Sequence, residues 1–344
     1  KKVLIITYYW PPAGGPGVQR VLKFVKYLPD FGWEPVVLTV KKGEYPAIDS
    51  SLIADIPVHC PVYKSKTIEF FSLFKSLTGR KKTDKIATYI LNKKNTTRKE
   101  RIFRWIRQNL FLPDARVGWV PFAIRKGKQI IKTEQPDLIF SSSPPHSLHL
   151  AAKALAEKSS LPWVVDFRDP WTDAFWDKHI GRSRLADQYN RKLEREVIKS
   201  ATALTTVSPY FRSLLIDKFA HPNFKIVHNG FDPQDFQGER QPQQKVNIVY
   251  AGHIAESQNP ENLFAAIKAL APDLRAKIQL DFYGVQDQAV KVSWHKYGLE
   301  NIVKDHGYVD HSIVVQAMLD AEVLLLLIPR EHARGMITGK IYEY

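Results

Sequence analysis

The chain has 344 residues, 44% hydrophobic and 25% charged, with 50 Lys/Arg against 35 Asp/Glu and a net charge of +15. That length favours two domains, since one core seldom grows past ~250–300 residues. A single cysteine, Cys60, excludes an internal disulfide and a cysteine-based zinc site and fits a reducing compartment, while the longest aliphatic run, Val323 to Ile328, falls far short of a membrane-spanning helix. No signal peptide is visible, so a cytoplasmic setting is expected.

The chain opens on KKVLIITYYWPPAGGPGVQRVLKFVKYL. Val3 to Thr7 is short, apolar and β-branched, as a strand buried on both faces should be. Pro11 to Gly17 must turn, and Val18, Val21, Leu22, Val25 and Leu28 recur at helical spacing. A strand, a glycine turn and a helix N-terminus gather free N–H groups and a partial positive charge, so Gly14, Gly15 and Gly17 form a candidate phosphate cradle. A tight turn that binds nothing is the alternative. The dinucleotide fingerprint fails, because Arg20 stands where its third glycine should be and the second apolar run, Pro35 to Val40, ends at Lys41 and Lys42 rather than at an acid.

Val58 to Tyr63 is a third possible strand. From Lys64 to Lys132 there are 19 Lys/Arg and 4 acids, while the rest of the chain carries 31 of each sign, so one region holds all the excess charge. Within this basic insertion, RKERIFRWIRQNLF (Arg98–Phe111) interleaves Arg101, Arg104 and Arg107 with Ile102, Trp105 and Leu110. Bulky apolar groups among cations suit a helix lying on an anionic membrane. The alternative is a solvated insertion packed on its own domain; no recognition motif supports nucleic acid.

The α/β rhythm then resumes, with strands at 137–141, 163–167, 203–207 and 225–228 and helices at 147–157, 185–200 and 210–219. A polar, turn-rich stretch from Gly230 to Gln244 reads as a linker. Beyond it come strands at 246–252, 277–284, 303–309 and 323–328 and helices at 260–270 and 312–321. The expected architecture is two tandem Rossmann-like domains, 1–235 and 236–344, the second truncated, with ligands at the carboxyl ends of the strands in a shared cleft.

Polar clusters fall at those strand ends. His146 lies in SSSPPHSLH, and Asp166, Arg168 and Asp169 lie in DFRDPW. Asp166 and Arg168 read equally as an ion pair, and His146 as a structural histidine. His253 follows the first strand of the second domain, and RGMITGKIYEY offers Arg334, Lys340 and Glu343 on a loop entering a helix. Glycines with cations suit a diphosphate, and a carboxylate one turn later suits a ribose diol.

The order and spacing of GGPGVQR, PDARVGW, SSPPHSLH, DFRDPW, VHNGFDPQDF, YAGHIAESQNPENLFAAI and GKIYEY resemble the GT-B glycosyltransferases of family 4 that act in bacterial surface polysaccharide and lipopolysaccharide synthesis. The resemblance implies a metal-independent, retaining transferase without cofactor, taking a nucleotide-sugar donor such as a UDP- or GDP-sugar. It places Gly14 and Gly15 near the donor diphosphate, Lys340 at the phosphates and Glu343 on the ribose. His253 stands where such enzymes usually carry an Arg, and Arg334 is positioned to compensate. Ser141 or Ser142 aligns with the family's acceptor-side histidine at least as well as His146. The expected acceptor is a lipid-linked glycan, reached from the inner face of the membrane with Arg101, Arg104, Trp105 and Arg107 at the surface. A nucleotide-sugar epimerase of the same fold, or a non-catalytic binding protein, are the alternatives.

Overall fold

The computed structural model describes all residues except 46, 69–97, 175–180 and 330–336. Contacts divide the chain into two compact units: Lys1–Trp10, Gly17–Pro46 and Asp55–His228 in the first, and Pro11–Pro16, Ala47–Ala54 and Asn229–Tyr344 in the second.

In the first unit, β1 (Lys2–Ile6), α1 (Pro16–Tyr27), β2 (Glu34–Val40) and β3 (Val62–Ser65) are followed by α2 (Arg98–Leu110), α3 (Val120–Glu134), β4 (Leu138–Ser143) and α4 (Ser147–Ser159). Then come β5 (Trp163–Phe167), α5 (Arg184–Ser200), β6 (Ala203–Thr206), α6 (Pro209–Ile216) and β7 (Phe224–Ile226). The seven strands are parallel in the order β3-β2-β1-β4-β5-β6-β7. The order reverses between β1 and β4, where a doubly wound sheet opens a crevice at its carboxyl ends. Leu4, Ile5, Ile6, Val37 and Leu38 are fully buried because helices cover both faces. Each such side chain contributes about 1.5–3 kcal/mol.

The third strand lies later than Val58–Tyr63. Val58 is 94% exposed, and Cys60 N–H closes a turn onto Pro57 O at 2.9 Å, so pairing starts only beyond Pro61. Cys60 itself is half-buried, with Sγ donating to Pro35 O, and burial pushes its thiol up to about 12. The helix α3 has no counterpart in the sequence reading. Arg125, Lys126, Lys128 and Lys132 mask a face on which Ala123, Gly127 and Ile130 are buried. A Cβ on Gly127 would sit 2.4 Å from Leu155 Cδ1, so glycine permits the close approach of α3 to α4.

The second unit holds β8 (Val246–Ala251), α7 (Glu261–Ala269), α8 (Pro272–Arg275), β9 (Ile278–Tyr283), α9 (Gln288–Lys296), β10 (Val303–Gly307), α10 (His311–Asp320), β11 (Val323–Leu324) and α11 (Lys340–Glu343). Its described strands are parallel in the order β10-β9-β8-β11. Phe264, Leu280, Phe282, Val290 and Trp294 form its core, and α9 was not foreseen in the sequence. The expected strand 323–328 shrinks to two residues in the ladder, with one further bond from Leu325 N–H to Val249 O. β11 pairs only with β8 among the described strands, and Val323 is 46% exposed, so the aliphatic run does not signal a strand buried on both faces.

One buried ion pair ties the first unit together. Arg20 Nε and Nη2 donate to Asp166 Oδ2 and Oδ1, each at 3.0 Å, while its Nη1 and Nη2 reach the carbonyls of His228 and Val227. Removing one partner of such a pair costs about 3–5 kcal/mol. Arg20→Ala should therefore lower the urea midpoint of the chain by that equivalent, and an unchanged midpoint would show that the pair is dispensable.

Candidate functional site

The crevice of the first unit is built from the ends of β1, β4 and β5. Asp166, at the end of β5, is fully buried, and its two oxygens take four donors. Oδ1 accepts from Arg20 Nη2 and from Thr205 Oγ1 at 2.7 Å; Oδ2 accepts from Arg20 Nε and from Ser142 Oγ at 2.7 Å. Those donors hold the carboxyl below the usual range against its burial. A carboxylate has about four acceptor positions, so none remains for chemistry. Asp166 is thus fully engaged within the protein, and its ionic partner is Arg20 rather than Arg168.

Arg168 is a staple. Its backbone N–H and Nε donate to Ser143 O at 3.2 and 2.9 Å, Nη2 to Pro144 O at 2.7 Å, and Nη1 to Gly17 O. It therefore joins the β5 end to the β4 loop and to the first turn of α1. The same geometry places Gly17 inside the helix rather than in the turn before it. Gly15, at φ +94°, takes the left-handed turn, and Gly14 spends its N–H on Ala47 O at 2.9 Å. Asp169, the next residue but one to Phe167, keeps its carboxyl raised through burial, with Arg168 opposing.

His146 sits directly before α4. Its ring stacks on Trp171 at 5.0 Å and 7°, and Nδ1 lies 3.0 Å from Ser143 Oγ. Trp171 is held in turn by Nε1–H donation to Asn190 Oδ1 at 2.9 Å. Burial, assisted by Arg168 and Arg182, pulls His146 down to about 3. One turn on, His149 is fully buried with Nδ1 2.8 Å from Ser141 Oγ, which also accepts Trp163 Nε1–H. The serine triplet at 141–143 is thereby divided among His149, Asp166 and His146.

In the second unit the floor is backbone. Gly252 follows β8 with φ +130° and donates to Tyr283 O at 2.6 Å; Gly284 follows β9 with φ +121° and donates to Gly307 O at 2.6 Å. Lys340 lies over this floor, so that a Cβ on Gly252 would stand 2.8 Å from Lys340 Cε. Lys340 Nζ is 5.0 Å from the Tyr250 ring centroid, a cation–π contact. Burial lowers its pKa, with Glu343 opposing. Glu343 Oε1 is 3.6 Å from His311 Nε2. Tyr344 Oη accepts Ala251 N–H at 3.2 Å and anchors α11 on the end of β8. The structure therefore brings Gly252 and Lys340 together at the β8–β11 reversal, with Glu343 facing His311 one turn further on. His253 points elsewhere, half-exposed with Nε2 3.0 Å from Asp287 Oδ1. Arg334 lies outside the described residues.

The basic helix α2 exposes one stripe. Arg98, Arg101, Ile102 and Trp105 line a shallow groove, with Ile102 and Trp105 each 54% exposed. Its other side is docked on the first unit, where Asn109 Oδ1 accepts Ser183 N–H at 2.8 Å. Arg107 is half-buried, and burial and neighbouring Arg116 depress its pKa while Asp114 and Glu44 oppose them. The side chain of Arg104 lies outside the described residues. No helix among the described residues is long and apolar enough to cross a membrane.

Comparison with known proteins bears on the fold and on one region of the chain. Residues 84–235 match the family described as Glycosyltransferase Family 4. Sucrose-phosphate synthase from Thermosynechococcus elongatus superposes with a TM-score of 0.57 at 14% identity, covering 94% of this chain and 74% of that one. HepE of Anabaena, solved in complex with UDP-glucose, gives 0.54 at 13% identity over 94% and 72%. WaaG, a glycosyltransferase involved in lipopolysaccharide biosynthesis, gives 0.53 at 13% identity over 94% and 74%. No curated protein matches the sequence. The chain thus carries a Glycosyltransferase Family 4 match over residues 84–235 and shares the fold of these solved structures.

The buried histidines set a pH dependence. In the unfolded chain both take up a proton near the ordinary value of 6.5, whereas the folded chain resists it, His146 down to about 3 and His149 also well below 6.5. Their contribution is complete above about pH 6.5 and is lost progressively as the pH falls toward the folded values. Thermal unfolding at pH 5 should occur below that at pH 7.5, and His149→Gln should flatten the slope between pH 6.5 and 5. An equal slope in the variant would remove His149 from the account.

Proposed function

We propose that the chain transfers a sugar, with retention, from a nucleoside-diphosphate donor held in the second unit to a lipid-linked acceptor received by the first, in cell-envelope glycan synthesis. The observation that carries this reading is Lys340 lying over the glycine floor at Gly252, with Glu343 one turn on in the same short helix. A lysine over backbone that tolerates no side chain suits a diphosphate, and a carboxylate one turn on suits the ribose hydroxyls. The UDP-glucose complex of HepE, on the same fold, supports a uridine donor.

The reaction breaks the bond between the anomeric carbon and the diphosphate oxygen and forms one to the acceptor hydroxyl oxygen on the same face. The hydroxyl proton passes to the departing phosphate. Lys340 and backbone N–H groups stabilise the charge left on the diphosphate. In the first unit His146 is neutral at physiological pH, so it serves the acceptor as a hydrogen-bonding group rather than as a cation. Asp169, two residues beyond the end of β5 and held raised by burial, is the second polar candidate on this side.

Loss of a charge-assisted contact removes about 1.5–3 kcal/mol, roughly 10- to 100-fold in affinity. Calorimetric titration of the complete chain with UDP and GDP should therefore show one preferred diphosphate, weakened to that extent in Lys340→Ala and less in Glu343→Gln. Equal affinities in wild type and Lys340→Ala would end the donor assignment. Donor turnover without acceptor would instead identify an epimerase.

The exposed Arg101, Ile102 and Trp105 stripe supports contact with an anionic membrane, which would bring a lipid-linked acceptor to the first unit. In vesicle flotation, wild type should bind phosphatidylglycerol-containing vesicles, and Trp105→Ala combined with Arg101→Glu should reduce binding. Equal binding to neutral vesicles, or no loss in the double variant, would count against a membrane role.

A further inference from the structure

Beyond the donor and acceptor assignments, the segment PDARVGW (Pro113–Trp119) contacts residues at or beyond the ends of β1, β2 and β3 in the first unit. Asp114 Oδ2 accepts Ser147 N–H at 2.8 Å, and Oδ1 accepts Ser147 Oγ at 2.8 Å and Arg116 N–H at 2.9 Å. Ser147 is the first residue of α4, whose N-cap position is occupied by His146 with no side-chain cap of its own. The orphan donor at the start of that helix is thus satisfied by a carboxylate 33 residues earlier in the chain. Negative charge at a helix N-terminus adds to the hydrogen bonds.

The rest of the segment fixes Asp114. Arg116 Nη1 donates to Glu44 Oε2 at 2.8 Å and Nη2 to Glu44 O at 3.0 Å, beyond the end of β2. The same guanidinium lies 5.3 Å from the ring centroid of Tyr8, beyond β1, and Trp119 packs edge-on to Tyr8 at 5.6 Å. Trp119 Nε1–H donates to Ser65 Oγ at 2.7 Å, at the end of β3. The ends of β1, β2 and β3 are therefore connected through this segment to the start of α4.

We propose that Asp114 and Arg116 are positioning residues that set where His146 stands over the crevice, a role that rests on the acceptor reading of the first unit. Trp171 fixes the plane of the imidazole; Asp114 fixes the backbone from which it projects. A general hydrophobic packing role would leave the His146 environment untouched when a single carboxylate is replaced, whereas a positioning role would not.

The test is diethylpyrocarbonate labelling of the full-length chain, with the rate at His146 read by mass spectrometry and the half-exposed His253 as internal control. Asp114→Ala should raise the His146 rate roughly fivefold, the population change expected from losing one helix cap, with His253 unchanged. Asp114→Asn keeps one acceptor for Ser147 N–H and should restore most of the protection. Ser147→Ala removes only the hydroxyl contact and gives a smaller rise, which keeps the test available if Asp114→Ala fails to fold. In a transfer assay the variants should raise the KM for acceptor and lower kcat while leaving the KM for donor unchanged. Equal His146 labelling in wild type, Asp114→Ala and Ser147→Ala overturns the proposal whether or not the chain transfers sugar. Raised labelling reversed by Asp114→Asn supports it even where no transfer is detected, and in that case it is the acceptor reading that fails.

Discussion

The buried pair between Arg20 and Asp166 is the constraint on which the first unit's crevice depends. Asp166 could not be ionised in the sheet interior without a countercharge and hydrogen bonds. It receives both from three places, α1, β4 and β6, and Arg20 in turn donates to the carbonyls after β7. Four elements far apart in sequence are thereby held in register at the strand ends. Arg168 repeats the device one layer nearer the opening, donating to carbonyls rather than to an acid. The polar residues at the bottom of the crevice are spent on architecture, which leaves His146 and Asp169 nearer its surface.

The two units solve the same problem with different materials. In the first, an elaborate side-chain network holds loops that carry a neutral imidazole. In the second, glycines bring backbone to the surface and a single cation overhangs it. A partner that needs shape and hydrogen bonds suits the former, whereas one with concentrated negative charge suits the latter. The transfer proposed above needs such a division, with a diphosphate and a hydroxyl held at separate places.

Much of this was legible in the sequence because parallel strands buried on both faces leave short apolar runs that alternate with helical patterns. The helix α3 was hidden for a physical reason: four cations on its outer face obscured a buried stripe of small residues. The strand at 323–328 was overread, since a run of leucines marks burial without saying whether a partner strand lies alongside. At the site, residue types at strand ends were readable, but their partners were not. Nothing in DFRDPW distinguishes an aspartate paired with its neighbour Arg168 from one paired with Arg20, 146 residues away. The signal lay in the other motif, where an arginine stood in place of a glycine. Likewise Asp114 could be seen as part of a motif, but a helix cap supplied from a distant loop has no local pattern.

The glycine floor of the second unit carries a consequence for how this protein could diversify. A Cβ added at Gly284 would lie 2.4 Å from the carbonyl oxygen of Gly252, and one at Gly252 would press into Lys340. Both positions also hold backbone angles that side chains resist. The strand ends are therefore closed to substitution, and a descendant of this chain could not remodel its floor to accept a new ligand. Change has to come from above, through the helices and loops that overhang it. Divergence in preference should accordingly be concentrated in α10 and around α11, over a floor that stays the same.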